Sequence, residues 1–174
     1  MSSNLWRLAD AVAKPWKNGG GVTRELYRES MEEGFALRIS VAEVESDGPF
    51  SRFPNVDRVI TVLSGRGMVL ERDGVRVDVG LHAPYAFAGE DLWQCRLVNG
   101  PIQDLNIMVH RSRYRAAIVR SQTLATGQFL VALGAGTLEG LDVLPGDLVR
   151  LERPTPVTFL VADVHLIDVC QGSS

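Results

Sequence analysis

Apolar and polar positions alternate with a period of two along much of this chain. Phe35, Leu37, Ile39 and Val41 fall on one face of an extended segment, and Ala36, Arg38, Ser40 and Ala42 fall on the other. The first face packs. The second is small and polar, which suits the wall of a ligand-sized cavity and equally a strand facing solvent. Residues 56–63 read as a further strand, Ser64-Gly-Arg-Gly67 turns it into residues 68–72, and Asp73-Gly74 makes a second tight hairpin into residues 75–79. Strands are also expected over 92–98, 105–109, 117–119 and 129–132. A turn at 143–151 feeds another, and a long apolar segment at 157–169 is one strand or two broken near Asp163. The helical candidates are a short piece at 111–117 and a single turn at 50–53. Many short strands with closely spaced turn signals predict a sandwich or barrel.

Composition narrows the partners more than the fold. At 174 residues, with 45% apolar and 22% charged residues, the chain is an ordinary globular one, able to bury one core or two small fused ones. A formal net charge of −3 argues against a general attraction to nucleic acid. No apolar run approaches the ~20 residues that span a bilayer, and no secretory leader pattern opens the chain, so a cytoplasmic location and no membrane partner are expected. Cys95 and Cys170 lack a CxxC spacing and read as small buried hydrophobes.

The densest chemistry lies in Lys14-Pro-Trp-Lys-Asn-Gly-Gly-Gly-Val-Thr-Arg-Glu-Leu26, where cationic, amide, aromatic and hydroxyl groups surround three glycines. Glycine admits positive φ and close approach, so Gly19, Gly20 and Gly21 could offer amide N–H groups to something small; a flexible connection is the alternative. This stretch, with Arg38-Ile-Ser-Val-Ala-Glu-Val44 and Asp47-Gly-Pro-Phe-Ser-Arg-Phe-Pro-Asn-Val-Asp-Arg58, closely resembles the signature blocks of the HutD/Ves family. Pro84-Tyr-Ala-Phe-Ala-Gly89 and Asp104-Leu-Asn-Ile-Met108 extend the resemblance weakly, over roughly the first two thirds of the chain. It implies an all-β bicupin fold, two fused antiparallel sub-barrels with little helix, and a link to bacterial histidine utilisation. Leu63 to Gly67 and Pro145 to Leu148 look like cupin turns, one in each half. The expected division is an N-terminal barrel over 1–110 carrying the ligand pocket and a C-terminal half over 111–174 packed on it. A homodimer is consistent with the resemblance.

Many cupins bind a metal through two close histidines, an acid and a later histidine. His82, His110 and His165 stand apart from one another, and residues 56–70 hold none, so neither metal nor cofactor is expected. Gly65-Arg-Gly67 and Gly134-Ala-Gly136 lack the context of phosphate-binding loops, and Ser40, Ser51 and Ser64 lack that of a nucleophile elbow.

What remains for a site is Trp16, Lys17, Asn18, Gly19, Thr23, Arg24, Arg38, Ser40, Glu43, Phe50, Ser51, Arg58, Asp104, Asn106 and Met108. Alternation puts Asp104, Asn106 and Met108 on one face of their strand, opposite Leu105, Ile107 and Val109. Arg24 and Glu25 point to opposite faces, so at most one enters a cavity. The expected ligand is a small anionic metabolite held by the Arg38 guanidinium and oriented by Asn18, Ser40 and Asn106, with Trp16 or Phe50 covering its apolar part. The competing reading pairs Arg38 with Asp104 or Glu43 inside a closed barrel. For Phe53, packing is favoured over ligand contact. The resemblance points to a regulatory binding protein for a histidine-degradation intermediate such as urocanate, formiminoglutamate, formylglutamate or formate. The alternatives are a metal-independent cupin enzyme acting on a related carboxylic acid, with Glu43 or Asp104 as acid or base, and a protein-interaction module. No nucleophile or base–acid pair emerges from the residues, which favours binding over catalysis.

Overall fold

The structure, a computed structural model, describes residues 4–170. Nineteen strands follow one another along the described residues: β1 (Leu5–Trp6), β2 (Ala13–Pro15), β3 (Gly21–Ser30), β4 (Phe35–Val44), β5 (Gly48–Pro49), β6 (Val56–Ser64), β7 (Met68–Arg72), β8 (Val75–Val79), β9 (Pro84–Ala88), β10 (Gln94–Leu97), β11 (Ile102–His110), β12 (Tyr114–Ser121), β13 (Leu124–Ala125), β14 (Phe129–Ala132), β15 (Gly136–Leu138), β16 (Leu141–Val143), β17 (Leu148–Arg150), β18 (Thr155–Pro156) and β19 (Val161–Asp168). A single 3₁₀ turn, Leu8–Asp10, is the helical element among them, and no helix is long and apolar enough to cross a membrane.

The strands form a six-stranded sheet ordered β2-β3-β4-β11-β6-β9, a four-stranded sheet β5-β10-β7-β8, a five-stranded sheet β1-β17-β14-β19-β12, and two small pairs, β13-β18 and β15-β16. Period-two alternation divides the apolar side chains among separate cores. Leu37, Ile39, Val41, Leu105, Ile107 and Val109 on the back of the six-stranded sheet meet Phe129, Val131, Leu148 and Val164 of the five-stranded sheet. On the front, Ala42, Val44, Ile60 and Val62 meet Met68, Leu70 and Cys95 of the four-stranded sheet. A third core joins Leu130, Ala132 and Val161 to Ala125, Leu138 and Val143 of the small pairs. Two antiparallel sandwiches packed back to back make this an all-β bicupin architecture.

Several local expectations change in the folded chain. Residues 114–121 form a strand antiparallel to β19, because Ile118 completes the central core while Arg115, Ala117 and Val119 are exposed. The chain runs through Asp163 without a break: its buried carboxylate accepts hydrogen bonds from the Thr126 and Gly127 amides, which satisfies the charge inside the sandwich. Cys95 is buried as expected, and burial pushes its thiol up to about 12, but Cys170 is exposed. β11 ends at His110 and β12 begins at Tyr114, whereas the first strand, β1, is hydrogen-bonded to β17 in the sheet otherwise built from the C-terminal half. Asp147 pins this crossing by accepting from the Leu8 amide at 2.9 Å and from Arg7 at 2.8 Å.

Gly21 shows why the triple glycine is needed. A Cβ there would lie 2.2 Å from the Glu43 carbonyl oxygen of the neighbouring strand, a backbone atom that cannot move aside. Gly21→Ala is therefore expected to cost roughly 1–3 kcal/mol or more. Urea denaturation checks this, and a loss below about 0.5 kcal/mol, the scale of a neutral surface change, contradicts it.

Candidate functional site

Strand register builds the floor of a cavity from three rows. Arg38, Met108 and Arg58 are paired across β4, β11 and β6; Ser40, Asn106 and Ile60 form the next row; Ala42, Asp104 and Val62 form the third. All nine side chains share the front face because their positions differ by two along each strand. Residues 15–18 and 49–53 supply the rim, enclosing a volume of about 540 Å³.

Arg58 is the most buried cation of this site, with 5% of its surface exposed. Its Nε donates to Asn106 Oδ1 and its Nη1 to the Ser51 carbonyl, both at 3.3 Å. Its guanidinium carbon lies 4.9, 5.1 and 5.5 Å from the ring centres of Phe87, Phe50 and Phe53. The rings stabilise the cation through their quadrupoles and also exclude water from it. Burial lowers the Arg58 pKa to about 10, opposed by the charge of Asp104 and reinforced by that of Arg38, so the group remains cationic at neutral pH.

Arg38 approaches the same row from the other side. Its ion-pair partner is Glu25, at 2.7 Å from Nε, and neither Asp104 nor Glu43. An irregularity between Glu25 and Tyr27 in the β3–β4 pairing sets Glu25 opposite Ser40, within reach of Arg38. Nη1 of Arg38 touches the Met108 sulfur at 3.8 Å, a weak partner.

Asp104 has the opposite character. It is 2% exposed, lies between Ala42 and Val62, and its Oδ1 has no hydrogen-bond partner. Burial raises its pKa from 3.8 to about 7, with Arg58 pulling the other way.

At the mouth, Trp16 Nε1 donates to Thr23 Oγ1 at 2.8 Å, which fixes the indole beside the opening. The glycine amides are used internally: Gly19 N–H donates to the Trp16 carbonyl and Gly20 N–H to Asn18 Oδ1. Gly19, with φ of 72°, shapes this turn and does not line the cavity.

These signature residues sit where the family comparison also falls, since the HutD family model matches residues 8–158. The chain belongs to the HutD family. Over 118 residues it is 44% identical to an uncharacterised Pseudomonas putida protein of the hutC 3' region, covering 66% of this chain and 62% of that protein. Over 116 residues it is 38% identical to protein Ves of Cronobacter sakazakii, covering 65% and 64% of the two chains. It therefore spans less than two thirds of the length of these curated relatives. A structure of HutD from Pseudomonas fluorescens SBW25, described as a formate condition, is 32% identical with a TM-score of 0.84, covering 94% of this chain and 97% of that one. A conserved Pseudomonas aeruginosa PAO1 protein of unknown function is 29% identical with a TM-score of 0.79, covering 95% and 99%. Escherichia coli Ylba, at 10% identity and a TM-score of 0.64, covering 94% and 89%, shares the fold.

In this HutD chain the cavity gathers Trp16, Lys17, Asn18, Thr23, Arg38, Ser40, Phe50, Ser51, Arg58, Asp104, Asn106 and Met108 from the sequence candidates. Glu43 does not join them. It shares the parity of Leu37, Ile39 and Val41, and it is paired with Arg24, 3.1 Å away, on the other face of the sheet. Glu43 is thus removed from consideration as an acid or base of this cavity. Phe53 does both jobs left open for it, packing on Phe35 and lining the cavity beside Arg58. Pro15 and Pro49 were missed as lining residues, as were Glu25 and Phe87 as supports. Ala42 lines the cavity beside Arg38 and Ser40, as their shared parity implied. Nothing local to Phe87 signals that it meets Arg58.

Proposed function

We propose that this cavity binds a small anionic metabolite, a histidine-degradation intermediate such as urocanate, formiminoglutamate, formylglutamate or formate, and that the protein serves a regulatory role in histidine utilisation. The observation that carries this reading is the pair of guanidinium groups, Arg38 and Arg58, flanking Met108 on the floor of an open-mouthed cavity. Two cations side by side repel, and a carboxylate between them relieves that repulsion while accepting charge-assisted hydrogen bonds. Ser40, Asn18 and Asn106 add polar contacts, and the phenyl rings lower the local dielectric, which strengthens each of them. Membership of the HutD family and similarity to a protein of the hutC 3' region support the metabolic link.

Isothermal titration calorimetry with each of the four acids tests the reading. Saturable one-to-one binding is expected for at least one, lost in a folded Arg38→Ala variant. Binding that survives this substitution with unchanged affinity refutes the assignment of Arg38. A second reading, an enzyme acting on a related carboxylic acid, is favoured by the buried Asp104 carboxyl, which titrates near neutrality as acid–base groups do. Product formation by NMR after prolonged incubation with each acid would establish it; unchanged spectra leave the binding reading.

A further inference from the structure

The polar groups of the cavity are segregated by type. Arg38, Arg58 and Lys17 bring positive charge, while Asp104 is the one acid among the described lining residues. Its immediate neighbours across the sheet, Ala42 and Val62, bring no donor. The nearby Arg58 directs Nε to Asn106 and Nη1 to the Ser51 carbonyl. In either protonation state a carboxyl group keeps at least one oxygen that only accepts, and here Oδ1 is buried without a donor. Leaving such an atom unmet costs about 1–3 kcal/mol, and native proteins tolerate it chiefly where water, an ion or a ligand completes the bond.

From this buried carboxyl, which lines the cavity and meets no donor at Oδ1, we propose that Asp104 is a specificity-determining residue of the cavity: the carboxyl accepts a hydrogen bond from an N–H group at the far end of the bound acid. The proposal rests on the anion-binding reading above and narrows it. The site then selects short carboxylic acids that also carry an N–H donor, of the amide, amidine or imidazole class, over acids that carry none. The rows set the length of such a ligand. Arg58 reaches the middle row through Asn106, and Asp104 lies one row further on, a step of about 6–7 Å along a strand. Carboxylate and N–H donor are therefore separated by roughly that distance, the span of a few bonds. The cavity volume of about 540 Å³ holds a molecule of this size with its long axis along β11.

Ring acids of equal shape provide the test: imidazoleacetate carries an N–H, furanacetate does not, and formate probes the anion end alone. On the wild-type protein, calorimetry is expected to show imidazoleacetate binding at least ~10-fold more tightly than furanacetate, the effect of one buried hydrogen bond. In Asp104→Ala that ratio falls to about 1–2, as expected when the accepting oxygen is gone. Equal affinities for the two ring acids on the wild-type protein overturn the role of Asp104 while leaving the anion site standing, and this comparison needs no variant to fold. A preference of ~10-fold retained in folded Asp104→Ala, or in Asp104→Leu should alanine fail to fold, overturns it as well. If none of imidazoleacetate, furanacetate and formate binds, the role of Asp104 falls, and the anion reading falls with it only when urocanate, formiminoglutamate and formylglutamate also fail to bind.

Discussion

Arg58→Leu is expected to weaken binding of urocanate and formate by on the order of 100-fold or more, as loss of a buried charge-assisted contact implies. Titration calorimetry of the variant beside the wild-type protein measures it, with circular dichroism to establish the fold. Leucine fills much of the same apolar space among Phe50, Phe53 and Phe87, so the rings keep a packing partner. What disappears is the charge, and with it the donors to Asn106 and Ser51. Arg38 alone does not compensate, because its Nε is already taken by Glu25 of the neighbouring strand β3. The assignment of Arg58 to the anion site fails if the folded variant binds within about 3-fold of the wild type, under 1 kcal/mol.

Asp104→Asn is expected to change how stability depends on pH. Burial raises the carboxyl from 3.8 to about 7, so between these values the unfolded chain is ionised at this position and the folded chain is not. The folded state then binds more protons than the unfolded state, and stability falls as pH rises, by about 1.4 kcal/mol per pH unit from this group. Below the lower value both states are protonated and nothing is lost. Above the upper value both are ionised, and the loss levels off at on the order of 4 kcal/mol. Asparagine removes this dependence, although its amide meets the same shortage of partners and costs about 1–3 kcal/mol. Urea denaturation from pH 4 to 8 should thus show the variant gaining on the wild type with rising pH, then holding constant. Parallel stability curves would mean that Asp104 is not the buried neutral acid described here. Such a group weakens the free protein to keep an acceptor inside the cavity, as binding sites commonly do.

The parts of the site that could be read directly are those governed by local alternation. Arg38 and Ser40 lie on one face because they are two residues apart in a strand, and Asp104, Asn106 and Met108 share a face for the same reason. The same rule, had it been applied to Glu43, would have excluded that candidate, which has the parity of the packed residues Leu37, Ile39 and Val41. Register could not be read in this way. The irregularity near Glu25 and Tyr27 decides which acid meets Arg38, and no residue there announces it. The segment 111–117 was misread for a related reason: its arginines are compatible with a helix, whereas 111–113 form a turn and pairing of β12 with β19 makes 114–117 extended.

Order along the chain was enough to specify strands, turns and the family blocks, because φ/ψ preferences, glycine tolerance and period-two burial act within a few residues. It was also enough to put cationic and amide side chains near one opening. The chemistry inside that opening arises from segments brought together over long distances: three phenylalanines around Arg58, Glu25 against Arg38, and Asp104 left between Ala42 and Val62 without a donor. Burial and pairing set the charge and hydrogen-bonding state of a side chain, and both exist only once separate strands have met.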